Sequence, residues 1–108
     1  MHQARTSKII TPREAGVERE TDLQEQIEAE LRRRQWAFAR TRMDCATTFT
    51  MQGIPDFIIA APGGKTWWLE NKSRTGKQTM EQRGFQILLE LNQHRYELCR
   101  TFEEFLRL

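Results

Sequence analysis

The chain has 108 residues, of which 30% are charged and 38% are hydrophobic, and its formal net charge is +2 at pH 7. This length supports one modest hydrophobic core and excludes two, and the composition is that of a folded domain rather than a disordered segment. No apolar run approaches the roughly 18 residues of a membrane span, so we expect no membrane partner. The small net charge does not by itself indicate a nucleic-acid partner, and that case depends on where the charges lie.

The first residues and the two cysteines indicate no special site. We expect residues 1–17 to form a flexible arm with a short helical turn at 11–14, where the sequence Thr-Pro-Arg-Glu has a capping residue, a first-turn proline and a third-position acid. The arm lacks the apolar core of a secretory peptide. Cys45 and Cys99 belong to no ligand pattern, so we expect reduced thiols, a cytoplasmic protein and no zinc site.

Three helices are predicted in chain order. Leu23, Ile27 and Leu31 recur every four residues and predict a helix from about 18 to 34. A capping signature at 79–82 predicts a second helix that runs to about residue 92, and Thr101 caps a short terminal helix. The residues of the second helix that we expect to face inward are Phe85, Leu88, Leu89 and Leu91.

The strands are predicted from runs of aromatic and β-branched residues. Segments 36–40 and 47–51 are candidate strands, and segments 57–61 and 66–72 flank a Pro-Gly-Gly-Lys turn as a hairpin. Segment 95–99 is a last strand. The order that we expect for the domain is α-β-β-β-α-β-α, in which three of the four segments before the second helix count as strands. It indicates a small α+β fold with helices packed on a mixed central sheet.

Two acids and a lysine are expected to meet at one end of this hairpin. Strand side chains alternate between faces, so Glu70 and Lys72 share one face and Asn71 lies on the other. If the strands pair antiparallel, Asp56 at the start of the first strand comes near both. Carboxylate oxygens select hard divalent cations. A carboxylate at the end of an apolar strand must be paired or metal-bound. The alternative to a metal site is therefore an ordinary ion pair between Glu70 and Lys72.

This pattern resembles the PD-(D/E)xK nuclease superfamily, which is defined by Pro-Asp, a hairpin and then acid-x-lysine. From residue 18 to the C-terminus the chain resembles its virus-type replication-repair nuclease (VRR-NUC) domains. The matching features are Glu20 four residues before Gln24, Gly-x-Pro-Asp at 53–56, the Pro-Gly-Gly tip at 62–64, and Gln82 in the helix after the lysine. One departure is Asn71, where this family usually has an apolar residue.

The resemblance implies a metal-dependent DNA endonuclease with a restriction-endonuclease-like core. It implies that Mg²⁺, or Mn²⁺ in its place, is held by Glu20, Asp56, Glu70 and the backbone carbonyl of Asn71. Lys72 would lie beside the attacking water, and Gln82 would support the site. Two assignments stay open: Glu18 or Glu25 could be mistaken for Glu20, and Gln82 equally fits the third position of a capping box.

Basic residues near the hairpin are the candidates for phosphate contacts, although each alone is more often a solvated charge. They are Arg40, Arg42, Lys65, Arg74, Lys77 and Arg83. The run Arg32-Arg33-Arg34 ends the first helix, where the helix dipole favours cations, so we interpret it as structural.

Stand-alone VRR-NUC domains resemble dimeric resolvases of four-way DNA junctions, so the resemblance implies branched DNA and a second copy of this chain as partners. A domain with one site needs a second subunit for paired cuts. A role in repair or recombination in a bacterial or phage-infected cell is the corresponding expectation. Two alternatives remain: a non-enzymatic module that binds double-stranded RNA by its shape, and a nuclease fold that has lost activity.

Overall fold

Residues 19–41 and 52–108 are described by a computed structural model, and they form helices on both faces of one sheet. The elements are α1 (Glu20–Arg34), β1 (Ala37–Arg40), β2 (Phe57–Ala61), β3 (Lys65–Asn71), α2 (Met80–Leu91), β4 (Arg95–Cys99) and α3 (Phe102–Leu106). This order and the α+β class confirm the sequence prediction. The N-terminal arm, Cys45 and the candidate strand at 47–51 lie outside the described residues. No helix in the described part of the chain is long and apolar enough to cross a membrane.

The sheet is mixed, with the strand order β1-β2-β3-β4. β2 pairs antiparallel with both β1 and β3, and β4 pairs parallel with β3. The β2–β3 hairpin turns through Gly63 and Gly64, whose φ angles of 80° and 73° lie in the left-handed region that glycine enters without a steric penalty. A parallel neighbour cannot follow a tight turn, so α2 supplies the crossover from β3 to β4.

The main core lies between α1, α3 and one face of the sheet. Leu23, Ile27 and Leu31 are fully buried, which confirms the predicted apolar stripe. Each such side chain contributes about 1.5–3 kcal/mol when it leaves water. The other buried residues of this core are Phe57, Ile59, Ala61, Trp67, Leu69, Cys99 and Phe105.

The arginine run at the end of α1 has the structural role that we predicted. Arg32 pairs with Glu28 at 2.6 Å, and Glu30 accepts hydrogen bonds from both Arg33 and Arg34. These two bonds lower the pKa of Glu30 to about 2. The Arg34 guanidinium also lies over an aromatic ring of the core, so these cations are engaged within the fold.

α2 packs on the opposite face of the sheet, and its inward side differs from the prediction. Leu89 is buried and Phe85 is half-buried as expected, but Leu88 and Leu91 are 62% and 73% exposed. The reason is that the polar residue Gln82 faces the sheet. Positions 82, 85 and 89 therefore form the inward side by helical spacing, and the two leucines lie on the opposite side.

Candidate active site

Asp56 and Glu70 lie at the open end of the β2–β3 hairpin. Phe57 pairs with Leu69, so the same register continued by one residue sets Asp56 opposite Glu70. Both side chains are buried, at 3% and 1% exposure. Asp56 Oδ2 accepts a hydrogen bond of 2.8 Å from the backbone N–H of Asn71. The structure thus brings the two sequence-predicted carboxylates to one end of the sheet.

Lys72 completes this arrangement just beyond the end of β3. Its Nζ lies 3.9 Å from Glu70 Oε2, and the residue is only 9% exposed. The backbone N–H of Lys72 donates to the carbonyl of Cys99, which extends the pairing with β4 by one residue. At 3.9 Å the contact between Lys72 and Glu70 is a long ion pair, and the low dielectric of the buried site strengthens it.

Gln82 takes part in the capping box of α2 and bonds Glu70 at the same time. Its Oε1 accepts from the backbone N–H of Thr79 at 2.9 Å, and Thr79 Oγ1 accepts from the backbone N–H of Gln82, which completes the capping box of α2. Its Nε2 donates to Glu70 Oε2 at 2.9 Å. Because the cap needs the oxygen and the carboxylate needs the N–H, only one orientation of the amide satisfies both. Gln82 thus orients Glu70 from the first turn of α2.

Gly53 fixes the Gly-x-Pro-Asp segment against the same turn of α2. Its φ is 85°, and a Cβ atom there would lie 2.2 Å from the carbonyl oxygen of Glu81. Only glycine allows this close approach of two backbone segments. The motif at 53–56 therefore sets the distance between Asp56 and the helix that carries Gln82.

Aromatic side chains lie beside the carboxylates on this face. Trp68 lies opposite Tyr96 in the parallel register and contacts the Phe85 ring. The Tyr96 hydroxyl accepts a hydrogen bond of 2.8 Å from Gln78. Burial raises the pKa of Tyr96 above its usual range, and the negative charge of Glu70 adds to the shift. The sequence analysis missed Tyr96, because only the β3–β4 register reveals its neighbours.

Glu20 is not gathered with the other two acids. Among residues 19–41 and 52–108, no three Asp, Glu, His or Cys side chains lie close enough to form a metal site. Glu20 is the first residue of α1, which packs on the face opposite α2, and its Oε2 lies 3.5 Å from Nε2 of Gln24.

Arg40 is held by α1. Its guanidinium donates to Gln24 Oε1 at 2.8 Å and to Glu28 Oε1 at 2.9 Å, and it lies over the Phe57 ring. Both terminal nitrogens thus have partners inside the protein. A phosphate contact from Arg40 would have to compete with these bonds.

The other candidate cations divide between the two ends of the sheet. Arg74 and Lys77 are exposed on the loop after Lys72, and Arg83 is exposed on α2 near Gln82. Lys65 lies at the hairpin tip, five residues along β3 from Glu70, a distance of about 17 Å in an extended strand. Arg42 lies outside the described residues. Among the described candidates, three exposed basic residues therefore lie on the segments that follow Lys72 or adjoin Gln82.

The donor set at this end fits a hard divalent cation. Two buried carboxylates and the adjacent Asn71 carbonyl are oxygen ligands of the type that Mg²⁺ and Mn²⁺ prefer. The Asn71 side chain faces away from this set and is fully buried, and among the described residues its amide atoms have no hydrogen-bond partner. The departure from the family pattern therefore concerns packing on the α1 face and leaves the carbonyl unchanged.

A solved structure described as a VRR_NUC domain has a similar fold. It matches with a TM-score of 0.67 and 16% sequence identity, over 82% of this chain and 91% of the other chain. No protein-family model matches the sequence, and no curated protein matches it significantly. The chain thus has the VRR-NUC fold, as its motifs implied.

Proposed function

We propose that this protein is a metal-dependent DNA endonuclease. The observation that carries the proposal is the group formed by Asp56, Glu70 and Lys72, with both carboxylates buried at one sheet end and the ammonium 3.9 Å from Glu70. Two carboxylates and one ammonium carry a net negative charge, which a divalent cation would offset before a phosphate approaches. The VRR-NUC fold supports the same class of activity.

Asp56, Glu70 and the carbonyl of Asn71 are the groups that would hold Mg²⁺ or Mn²⁺. A bound ion of this kind supplies Lewis-acid polarisation of the phosphate and of the attacking water. Glu20, which is outside this group, would contribute through an intervening water. The two carboxylates and one carbonyl are therefore the direct protein ligands in this proposal.

Lys72 and Gln82 have separate tasks in this mechanism. The Lys72 ammonium would donate to a non-bridging phosphate oxygen and offset the negative charge that grows in the transition state. Gln82 keeps the Glu70 carboxylate in one orientation through its bond to Oε2. This bond requires no rearrangement during the reaction, because the capping box already holds the amide.

We propose further that the enzyme is a homodimer that acts on branched DNA. Support comes from the outer face of α2, which carries exposed apolar side chains on the side opposite Gln82 and Leu89. These side chains are Met80, Ile87, Leu88 and Leu91. A row of this kind on one helix is typical of a subunit interface. Two sites related by a two-fold axis would match the two strands to be cut in a four-way junction.

The charges beside this face suit a second copy of the same helix. Arg83 and Glu90 are seven residues apart, so they lie on the same flank of the outer face. In an antiparallel pair of α2 helices, the same flank of each helix lies along the same side of the interface. Arg83 of one copy then comes near Glu90 of the other. Gly84 lies within the face, and a Cβ atom there would meet open space, so the helices could approach closely.

A cleavage assay tests the proposed activity. Duplex, flap and four-way-junction DNA are incubated with the protein in Mg²⁺, in Mn²⁺ and in EDTA. We expect cleavage with either metal, none in EDTA, and faster cleavage of the junction than of the duplex. Absence of cleavage on all three substrates would refute the nuclease proposal. Equal rates on duplex and junction would refute the preference for branched DNA alone.

A double-stranded RNA-binding module is the alternative from another class. Two buried carboxylates repel an anionic ligand unless a cation is bound, so they would weaken a module that only binds RNA phosphates. RNA binding in EDTA without cleavage of any DNA would favour this alternative.

A further inference from the structure

Arg100, which directly follows β4, lies against the loop that follows Lys72. Its Nη1 donates to the carbonyl oxygens of Ser73 at 2.6 Å and Gly76 at 2.7 Å, with a longer contact of 3.3 Å to that of Arg74. Its backbone N–H donates to the Glu104 carboxylate in α3, so the backbone of Arg100 is held as well as its side chain. One guanidinium nitrogen thus bonds the carbonyl oxygens at both ends of the loop 73–76.

The same loop folds back over the side chain of Lys72. The backbone N–H of Gly76 donates to Ser73 Oγ at 3.0 Å, which closes the turn. A Cβ atom on Gly76 would lie 3.6 Å from Lys72 Cδ, so the turn is in near contact with the aliphatic part of the lysine. This contact contributes to the burial of a lysine that stands beyond the end of its strand.

We propose that Arg100 is a positioning residue that acts on Lys72 through the loop 73–76. Carbonyl oxygens that converge on one point need a donor, and a charged donor makes the strongest bonds with them. Without that donor the loop loses its closed conformation, and the long lysine side chain regains its rotamers. The ammonium then spends less time beside Glu70. The inference rests on the proposed nuclease function, in which Lys72 serves the chemical step.

The test compares Arg100→Gln and Arg100→Lys with the control Arg107→Gln. Arg107 is exposed on the same terminal segment, so its loss removes an equal charge without touching the loop. Single-turnover cleavage is measured in Mg²⁺ and DNA affinity in Ca²⁺. We expect Arg100→Gln to lower the rate by about 10- to 100-fold, which is the effect of a small misplacement of a catalytic group, with little change in affinity. Arg100→Lys should recover part of the rate, and Arg107→Gln should change neither quantity.

Amide hydrogen exchange gives a second measurement that does not need activity. We expect faster exchange at Lys72 and Gly76 in Arg100→Gln than in the wild-type protein or in Arg107→Gln. An unchanged rate and unchanged exchange would overturn the inference, as would loss of DNA affinity with an unchanged rate, since the loop would then serve only to bind phosphate. Wild-type protein that cuts no DNA would refute the proposed function, whereas the exchange data would still decide whether Arg100 holds the loop.

Discussion

The Gln82 amide contributes to the orientation of Glu70. Gln82 uses its oxygen to cap α2 and its N–H to bond Glu70 Oε2, both at 2.9 Å. Lys72 approaches the same oxygen from the strand, at 3.9 Å. One carboxylate oxygen therefore has a neutral donor and a cation as neighbours. Gln82 thus helps to orient Glu70, and a different residue, Lys72, is the one that we expect to assist the reaction.

Lys72→Ala should lower the chemical rate much more than the affinity for DNA. The charge of Lys72 is expected to act mainly in the transition state, and such an interaction appears in kcat rather than in binding. Single-turnover rates in Mg²⁺ and affinities in Ca²⁺ separate the two effects. Lys77→Ala is the control, since this exposed loop lysine should affect affinity and leave the rate unchanged. A large affinity loss with an unchanged rate would make Lys72 a phosphate anchor only.

Asn71→Leu should stabilise the protein and leave cleavage intact. Among the described residues neither amide atom of Asn71 has a hydrogen-bond partner, and such burial costs about 1–3 kcal/mol. The backbone N–H that bonds Asp56 and the carbonyl proposed as a metal ligand both remain. Urea unfolding measures the gain in the free energy of unfolding. Lower stability would mean that the amide has a structural role that its contacts do not reveal.

Among the elements, α2 connects the end of the sheet that carries Asp56 and Glu70 to the rest of the fold. Its first turn holds Glu70 through Gln82 and meets the motif at 53–56 through Gly53. Its last turns cover the sheet through Leu89. A shift of this helix would therefore change both carboxylates together.

Gly53→Ala should destabilise the protein by about 1–3 kcal/mol, a typical cost of overpacking. The added methyl group would overlap the Glu81 carbonyl, and the residue would also need a positive φ. Gly64→Ala is the matched control, because its φ of 73° is also positive and a Cβ atom there meets open space. Thermal unfolding should show a clearly larger loss of stability for Gly53→Ala than for Gly64→Ala. Equal shifts would contradict the close approach at Gly53.

The sequence predicted every described element, because apolar periodicity and capping residues are local signals. It also predicted that Asp56 and Glu70 lie at the same sheet end, since a hairpin fixes its own register. It was wrong about Leu88 and Leu91, because a polar contact from Gln82 set the rotation of α2 against the apolar pattern. No local sequence pattern indicates the contacts of Arg100, because its partners lie 24 to 27 residues away in the sequence.

For the whole molecule, the outer face of α2 predicts association in solution. We expect a particle of twice the 12.8 kDa chain mass in sedimentation at micromolar concentration. Leu91→Glu should convert it to a monomer, because the charge would be buried without a partner in the interface. Leu106→Glu is the control, since Leu106 is an exposed leucine on α3, away from this face. A wild-type monomer that still cuts junctions would contradict the dimer and leave the nuclease proposal intact.

The most direct test of the proposed site is single-turnover cleavage of a DNA junction in Mg²⁺ by Asp56→Asn and Glu70→Gln. Each substitution keeps an oxygen for the bond from Asn71 or Gln82 and removes only the charge. We expect cleavage to fall below detection in both variants, with thermal stability equal to or above that of the metal-free wild type, because the repulsion between the two acids is relieved. Near wild-type cleavage by either variant would contradict the assignment of this pair as the metal-binding centre.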